Sequence, residues 1–289
     1  MAIETTFVDT PRGRFAVRVA GPAAGPLVLC LHGFPDDAST FDGLLAALAA
    51  RGLRGAAPYC RGYAPSPLRN PDGSRFGQNL MAVLAYDALA VAEALAPGAP
   101  FSVVGHDNGA FATYSVLARA PAGRVTRAVT LTAGHPAQVF ANTARSPRQL
   151  WRSRYAIWFQ APGAGWYVRR QNFAYVEKLW RLWAAPGWSP PAAHLATVKQ
   201  TLAASWPGPL QHYRSGGINA GKNWPLIPTP TLYLAGAQDG CVLPEISAGQ
   251  QRYFAGPFRS EVVPGAGHFL HLEQPEIVNG KILDWLTAS

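Results

Sequence analysis

Cysteine and long apolar runs are both scarce in this sequence. Three cysteines in 289 residues, Cys30, Cys60 and Cys241, are odd in number and widely spaced, which argues against a disulfide framework and for a reducing compartment. No uninterrupted apolar stretch approaches the roughly 18 residues of a membrane span. Residues 1–6 show no basic segment followed by an apolar one, so no signal peptide is expected and the expected location is the cytoplasm. No G-x-G-x-x-G fingerprint of a dinucleotide site occurs, and His32 and His106 lack metal-ligand spacing, so neither cofactor nor metal is implied. With 48% hydrophobic residues, the chain is long enough for one large core that needs no staples.

Negative charge is also in short supply, and the formal net charge is +9. Arg145, Arg148, Arg152, Arg154, Arg169, Arg170, Lys178 and Arg181 fall in one region with only Glu177 against them. Basic residues among aromatics can bind phosphate and stack bases. Arginine outnumbers lysine along the whole chain, however, and the cluster reads as the solvated face of an arginine-rich protein. Neither a nucleic acid nor a membrane is expected as a partner.

Apolar strand-like runs alternate with helical periodicity. Residues 5–10 and 14–20 read as an antiparallel pair around a turn at 11–13, and 27–31, 53–59, 101–104 and 127–132 read as further strands. Helices are expected over 41–51, closed by Gly52, and over 78–95, stopped by Pro97 and Gly98. This alternation predicts a mostly parallel sheet covered on both faces. From Pro136 to Asn223 the pattern turns helical and proline-broken, an expected cap of residues 136–223 inserted into a core of 1–135 and 224–289. Eight of the nine tryptophans lie between Trp151 and Trp224. Of these, Trp180 and Trp183 are expected to pack helices together and Trp158 to line a pocket.

The chemistry is carried by Gly105-His106-Asp107-Asn108-Gly109, between an apolar strand and a helix-like run. G-x-D-x-G also occurs in ordinary strand-to-helix turns. In a nucleophile elbow, though, such a strained turn exposes one side chain above the sheet, and here that side chain is a carboxylate. A carboxylate attacking carbon that bears a leaving group forms an ester, whereas attack on an ester or amide would give a high-energy anhydride. Three other segments fit this reading. His32-Gly33-Phe34-Pro35 can aim the Phe34 N–H at the point reached by the Asn108 N–H, forming an oxyanion hole. His268, in Gly265-Ala266-Gly267-His268, reads as a general base, and in Thr231-Leu232-Tyr233-Leu234-Ala235-Gly236-Ala237-Gln238-Asp239, a strand with an acid just past its end, Asp239 can orient it. No carboxylate follows residues 127–132, in Thr132-Ala133-Gly134-His135-Pro136, so Asp239 is left as the acid. His106 and His32 are expected to shape the elbow and the oxyanion loop, Asp36 and Asp37 to cap a helix, and His271 and Glu273 to lie on the surface or behind the site.

These segments, in the order nucleophile, acid, histidine, resemble the α/β-hydrolase superfamily over nearly the whole chain. The aspartate is similar to the branch of epoxide hydrolases, haloalkane dehalogenases and haloacetate dehalogenases. The resemblance implies an eight-stranded, mostly parallel sheet flanked by helices, with a helical cap. Tyr155, shortly before Phe159-Gln160-Ala161-Pro162-Gly163, and Tyr213-Arg214 resemble the two cap motifs of epoxide hydrolases, whose tyrosines protonate the epoxide oxygen. Asn108 departs from the pattern, because the epoxide and haloalkane enzymes commonly carry tryptophan there and haloacetate enzymes arginine. Phe34 also offers no side-chain donor for halide. The resemblance therefore implies an epoxide hydrolase acting on a small apolar epoxide and water. Asp107 would be the nucleophile, His268 and Asp239 the base and its acid, Tyr155 and Tyr213 the proton donors, Phe34 and Asn108 the oxyanion donors, and Phe34 and Trp158 the pocket wall. A dehalogenase with the same three residues is the alternative, and a non-catalytic receptor on the same fold the reading of another class. A monomer or homodimer is expected.

Overall fold

The computed structural model describes residues 2–70, 72–74, 80–214 and 224–288. Eight strands form one sheet, β1 (Glu4–Thr10), β2 (Gly13–Ala20), β3 (Leu27–Leu31), β4 (Arg54–Pro58), β5 (Phe101–His106), β6 (Val125–Leu131), β7 (Thr231–Gly236) and β8 (Phe258–Val263), in the order β1-β2-β4-β3-β5-β6-β7-β8. The hairpin β1–β2 is antiparallel and β2 meets β4 antiparallel, while every pairing from β4 to β8 is parallel. Every residue of β3, β5 and β7 is buried, because helices cover both faces and alternation would waste apolar area. The edge strand β1 is mostly exposed.

Helix α1 (Asp42–Ala50) follows β3, α2 (Leu80–Leu95) follows β4, and α3 (Asn108–Leu117) leaves β5 with every residue buried. The expected helix start at Gln78 lies outside the described residues. Between β6 and β7 the described residues hold six helices: α4 (Pro136–Thr143), α5 (Pro147–Arg152), α6 (Arg154–Trp158), α7 (Ala164–Trp183), α8 (Ala192–Ser205) and α9 (Gly208–Arg214). Proline opens α4 and α5, where a missing N–H costs nothing, and α7 is interrupted at 170–173. The expected cap end at Asn223 falls outside the described residues. Helices α10 (Leu270–Glu273) and α11 (Pro275–Thr287) complete the chain. Among the described residues no helix is long and apolar enough to cross a membrane.

The helical insertion is tied to loops of the core. His194 on α8 lies 3.0 Å from Asp36 after β3, the Ala64 N–H donates to Ser205 at 2.7 Å, and His212 on α9 lies 2.8 Å from the Arg61 carbonyl. Trp180 on α7 stacks on Phe269 with ring centres 3.6 Å apart.

Candidate active site

Chain reversal between β5 and α3 is sharp enough to push Asp107 to φ 53°, ψ −118°, a conformation that L-residues rarely adopt. Such a turn needs Gly109, because any Cβ there would collide with the carbonyl of Leu31. Gly33 does the same for the loop after β3. A Cβ on it would strike the Asp107 carboxylate and the Asn108 nitrogen, so only glycine lets this loop approach the elbow. Phe34 N–H consequently donates to Asp107 Oδ1 at 2.9 Å. The other carboxylate oxygen, Oδ2, lies 3.6 Å from His268 Nε2.

His268 Nδ1 donates to Asp239 Oδ2 at 2.9 Å, which leaves Nε2 as the free, proton-accepting position of the neutral ring. Asp239 is itself fixed, since its Oδ1 accepts the N–H groups of Cys241 at 2.7 Å and Val242 at 2.8 Å. All three residues are buried. Burial works against a charged imidazole, but Asp239 and Asp107 outweigh it and raise the His268 pKa to about 10. Burial likewise opposes ionisation of Asp107, and the His268 ring overcomes it, leaving the carboxyl below its usual range. In this state Asp107 is an anion beside an imidazolium.

The insertion brings two tyrosines over the elbow. Tyr155 and Tyr213 stand with ring centres 5.7 Å apart, and Tyr213 packs edge-on to Phe34 at 5.3 Å. The pairing has a cause in Arg214, which donates to the carbonyls of Phe159 at 2.8 Å and Ala161 at 3.2 Å and so binds α9 to the end of α6. Burial first, and the nearby Asp107 among other groups, push both phenols well above 10, so both are protonated. The Tyr155 hydroxyl lies 3.5 Å from Cys241 Sγ, and the Tyr213 hydroxyl is buried without a well-formed hydrogen bond.

Asp107, His268, Asp239, Tyr155, Tyr213 and Phe34 thus converge on one centre. Asn108 begins α3 beside the carboxylate, its side chain buried and its Nδ2 without a partner. Trp158 stands farther out, half-buried, against Tyr167 and Tyr175 at 5.2 Å each.

Other placements differ from the sequence reading. Trp183 does not simply pack helices. Its ring lies 5.2 Å from His268 and 4.9 Å from Tyr155, and its carbonyl accepts the His268 N–H at 2.9 Å. Asp37 caps the short turn at Ala38–Phe41, but Asp36 instead faces His194 across the boundary with the insertion. His271 is not a surface residue; it is buried and contacts Thr40 at 2.6 Å. Glu273 accepts the N–H groups of Ala185, Gly267 and Phe269, pinning the histidine loop to the insertion. His106 Nε2 donates to the His268 carbonyl at 2.9 Å, and His32 receives the Cys60 N–H at 3.0 Å while lying 3.1 Å from the Gly33 carbonyl.

A parallel sheet with a strained carboxylate elbow, a histidine held by an acid and a helical layer over the strand ends defines a hydrolase class. The chain belongs to the alpha/beta hydrolase family, whose model matches residues 28–281. It is 28% identical to Epoxide hydrolase 3 of Xenopus tropicalis, over 94% of this chain and 74% of that protein. It is 27% identical to Epoxide hydrolase A of Mycobacterium tuberculosis, over 97% and 96% of the two chains. Among solved structures it superposes on an epoxide hydrolase from metagenomes of hot environments with a TM-score of 0.84, at 24% identity and full coverage of both chains. The Bacillus megaterium epoxide hydrolase follows the same fold with a TM-score of 0.83, at 21% identity over 97% of this chain and 99% of that one.

Proposed function

We propose that this protein hydrolyses an epoxide to a vicinal diol through an ester on Asp107. The observation that carries the reading is the pair of partly buried, protonated tyrosines over an elbow carboxylate whose Oδ1 is already held by a backbone N–H. The names borne by its relatives support the same reading.

Asp107 Oδ2 attacks one ring carbon, the C–O bond on the far side breaks, and the departing oxygen takes a proton from Tyr155 or Tyr213. Esterification removes the negative charge of Asp107. One of the two carboxylates that keep His268 protonated is then lost, so the ring gives up its proton, which through water restores the tyrosinate left by ring opening, and the neutral ring becomes the base when it is required. Water attacks the ester carbon as His268 Nε2 takes its proton and Asp239 stabilises the imidazolium. The oxyanion forms on Oδ1, where the Phe34 N–H already points, with the Asn108 N–H as second donor. Collapse releases the diol and restores the carboxylate. Trp158 and Phe34 belong to the pocket wall. Action in the cytoplasm, as a monomer or homodimer, completes the proposal, supported by the three free cysteines.

Halide displacement is the second reading. The buried, unpartnered Nδ2 of Asn108 is the kind of donor a departing halide needs. The test is turnover of styrene oxide and 1,2-epoxyhexane against 1-chlorohexane and chloroacetate, with intact-protein mass spectrometry of His268→Gln. Diol formation without comparable halide release, and a mass gain equal to the epoxide, is the expected result. Halide release as fast as diol formation would make the protein a dehalogenase.

A further inference from the structure

Charge is divided unevenly along this chain. Residues 136–223 hold eleven Lys and Arg against one acid, Glu177, a balance of +10; the remaining residues hold 14 against 15, a balance of −1. Nothing in the ring-opening chemistry calls for that excess.

The structure gathers part of it into a cavity of about 550 Å³ whose lining includes Tyr155 and Trp183 of the candidate site. Trp183 touches the His268 ring, and Gly240, which also lines the cavity, lies beside Asp239. Arg152, Arg154 and Lys178 line it together with Trp158 and Tyr175, and no carboxylate does. Among the described residues, none of these three cations has a carboxylate partner. Arg154 lies over the Trp151 ring at 4.0 Å and Arg152 donates to the Asp239 carbonyl, so both guanidinium groups are held in place by partners that leave their charge uncompensated. Glu177, the one acid of the segment, is engaged elsewhere by Lys199 and Arg181. A second basic hollow of about 400 Å³ shares Tyr175 and Lys178 with the first.

A merely solvated basic face would spread its cations over convex surface. Here they line a concavity together with aromatic side chains and a proposed proton donor, Tyr155. Aromatic walls stack planar groups, and unpaired arginine and lysine bind anions. Resting on the epoxide reading above, we infer that the substrate is an aryl epoxide bearing a carboxylate. Its ring lies against Trp158 and Tyr175 and its anion at Arg154 and Lys178 while the epoxide reaches Tyr155 and Asp107.

The test compares 4-(oxiran-2-yl)benzoate and the longer 4-(glycidyloxy)benzoate with their methyl esters. For at least one pair, kcat/KM for the acid should exceed that for the ester at least tenfold at low salt. The ratio should fall severalfold in 0.5 M NaCl, where the Debye length shrinks to a few ångströms. It should fall at least tenfold in Arg154→Gln/Lys178→Gln, two exposed positions, and stay unchanged in Arg145→Gln/Arg169→Gln, which removes equal charge outside the cavity. Binding of the two diol acids and their methyl esters, followed by calorimetry, gives the same comparison without turnover. Acids that react and bind no better than their esters in the parent protein, or a preference that survives the Arg154/Lys178 double variant, would overturn the inference. Selective binding of the diol acids with no turnover of any epoxide would instead overturn the epoxide reading while leaving the anion site standing.

Discussion

The core and the helical insertion handle charge in opposite ways. In the core, several charges are matched: Arg61 is buried against Asp87 through bonds of 2.6 and 2.8 Å, Arg12 joins the same carboxylate at 2.6 Å, and Arg18 clasps Asp42 through two bonds of 2.6 Å. Asp107, His268 and Asp239 form another closely packed set, where two carboxylates share a single imidazole. The insertion leaves cations without acids and contributes hydroxyls, indoles and guanidiniums. In the proposed mechanism the core would supply the nucleophile and base at fixed geometry, and the insertion the proton donors and the surroundings that choose a substrate.

The largest effects are expected on the core side. Asp107→Ala should lower turnover by about 10⁴-fold or more, as loss of a nucleophile that acts with a base does. His268→Gln should still form the ester and hold it, seen as a mass gain equal to the substrate. Multiple turnover by Asp107→Ala would mean that the reaction does not pass through the elbow.

On the insertion side the losses should be smaller and shared. Tyr155→Phe or Tyr213→Phe should each slow ring opening by roughly ten- to a thousandfold, because either phenol can still give its proton, and the double variant should be nearly inactive. Single-turnover kinetics separate this step from ester hydrolysis. Ring opening at the parent rate in the double variant would remove the insertion from the chemistry altogether.

How far each region could be read from sequence follows the same boundary. The elbow, the histidine loop and the acid after β7 are defined by local turns, and turns leave marks in glycine spacing and strand ends. The mostly parallel sheet was legible because apolar runs of strand length alternate with helical ones, while its eight strands came from the family resemblance. Trp183, Glu273 and the pair Asp36–His194 left no such mark. Each acts across a boundary between segments 80 or more residues apart in sequence, and nothing in a local pattern says which neighbour a side chain will meet. Asp36 and Asp37 make the point sharply. Adjacent and identical, one caps a turn and the other crosses to α8, a difference decided only by where the insertion packs. The tyrosines were legible through family resemblance rather than periodicity.

The joint itself should respond to pair removal. Asp36 is fully buried, and although burial opposes its charge, His194 and then Thr40 hold its carboxyl low, at about 2. His194→Ala leaves that carboxylate buried without its cation, which costs about 3 kcal/mol where one partner of a buried pair is removed. For a chain of this size that is a fall of several degrees in Tm. An unchanged Tm would mean that the insertion is held by apolar contacts such as Trp180 on Phe269 alone.

The smallest effect is the most discriminating, because two histidines of the insertion meet the core with opposite pH signs. Burial lowers the His194 pKa, but Asp36 outweighs it and the result is about 9, above the ordinary 6.5. Its contribution is fully present below pH 6.5 and is lost as pH rises through 9. Burial dominates at His212, which faces a carbonyl of Arg61 and the ring of His32, and its pKa falls to about 4. The unfolded chain then binds the extra proton, so this contribution is present above pH 6.5 and is lost as pH falls through 4. A shift of about 2.5 units is worth at most about 3 kcal/mol across each window. Thermal unfolding of the parent, His194→Asn and His212→Asn from pH 4 to 9 should show the first variant's deficit shrinking on the alkaline side. The second variant should converge with the parent on the acid side. If both deficits were flat with pH, neither ring would change its charge at the joint, and the contrast between an ionic and a neutral tether would fail.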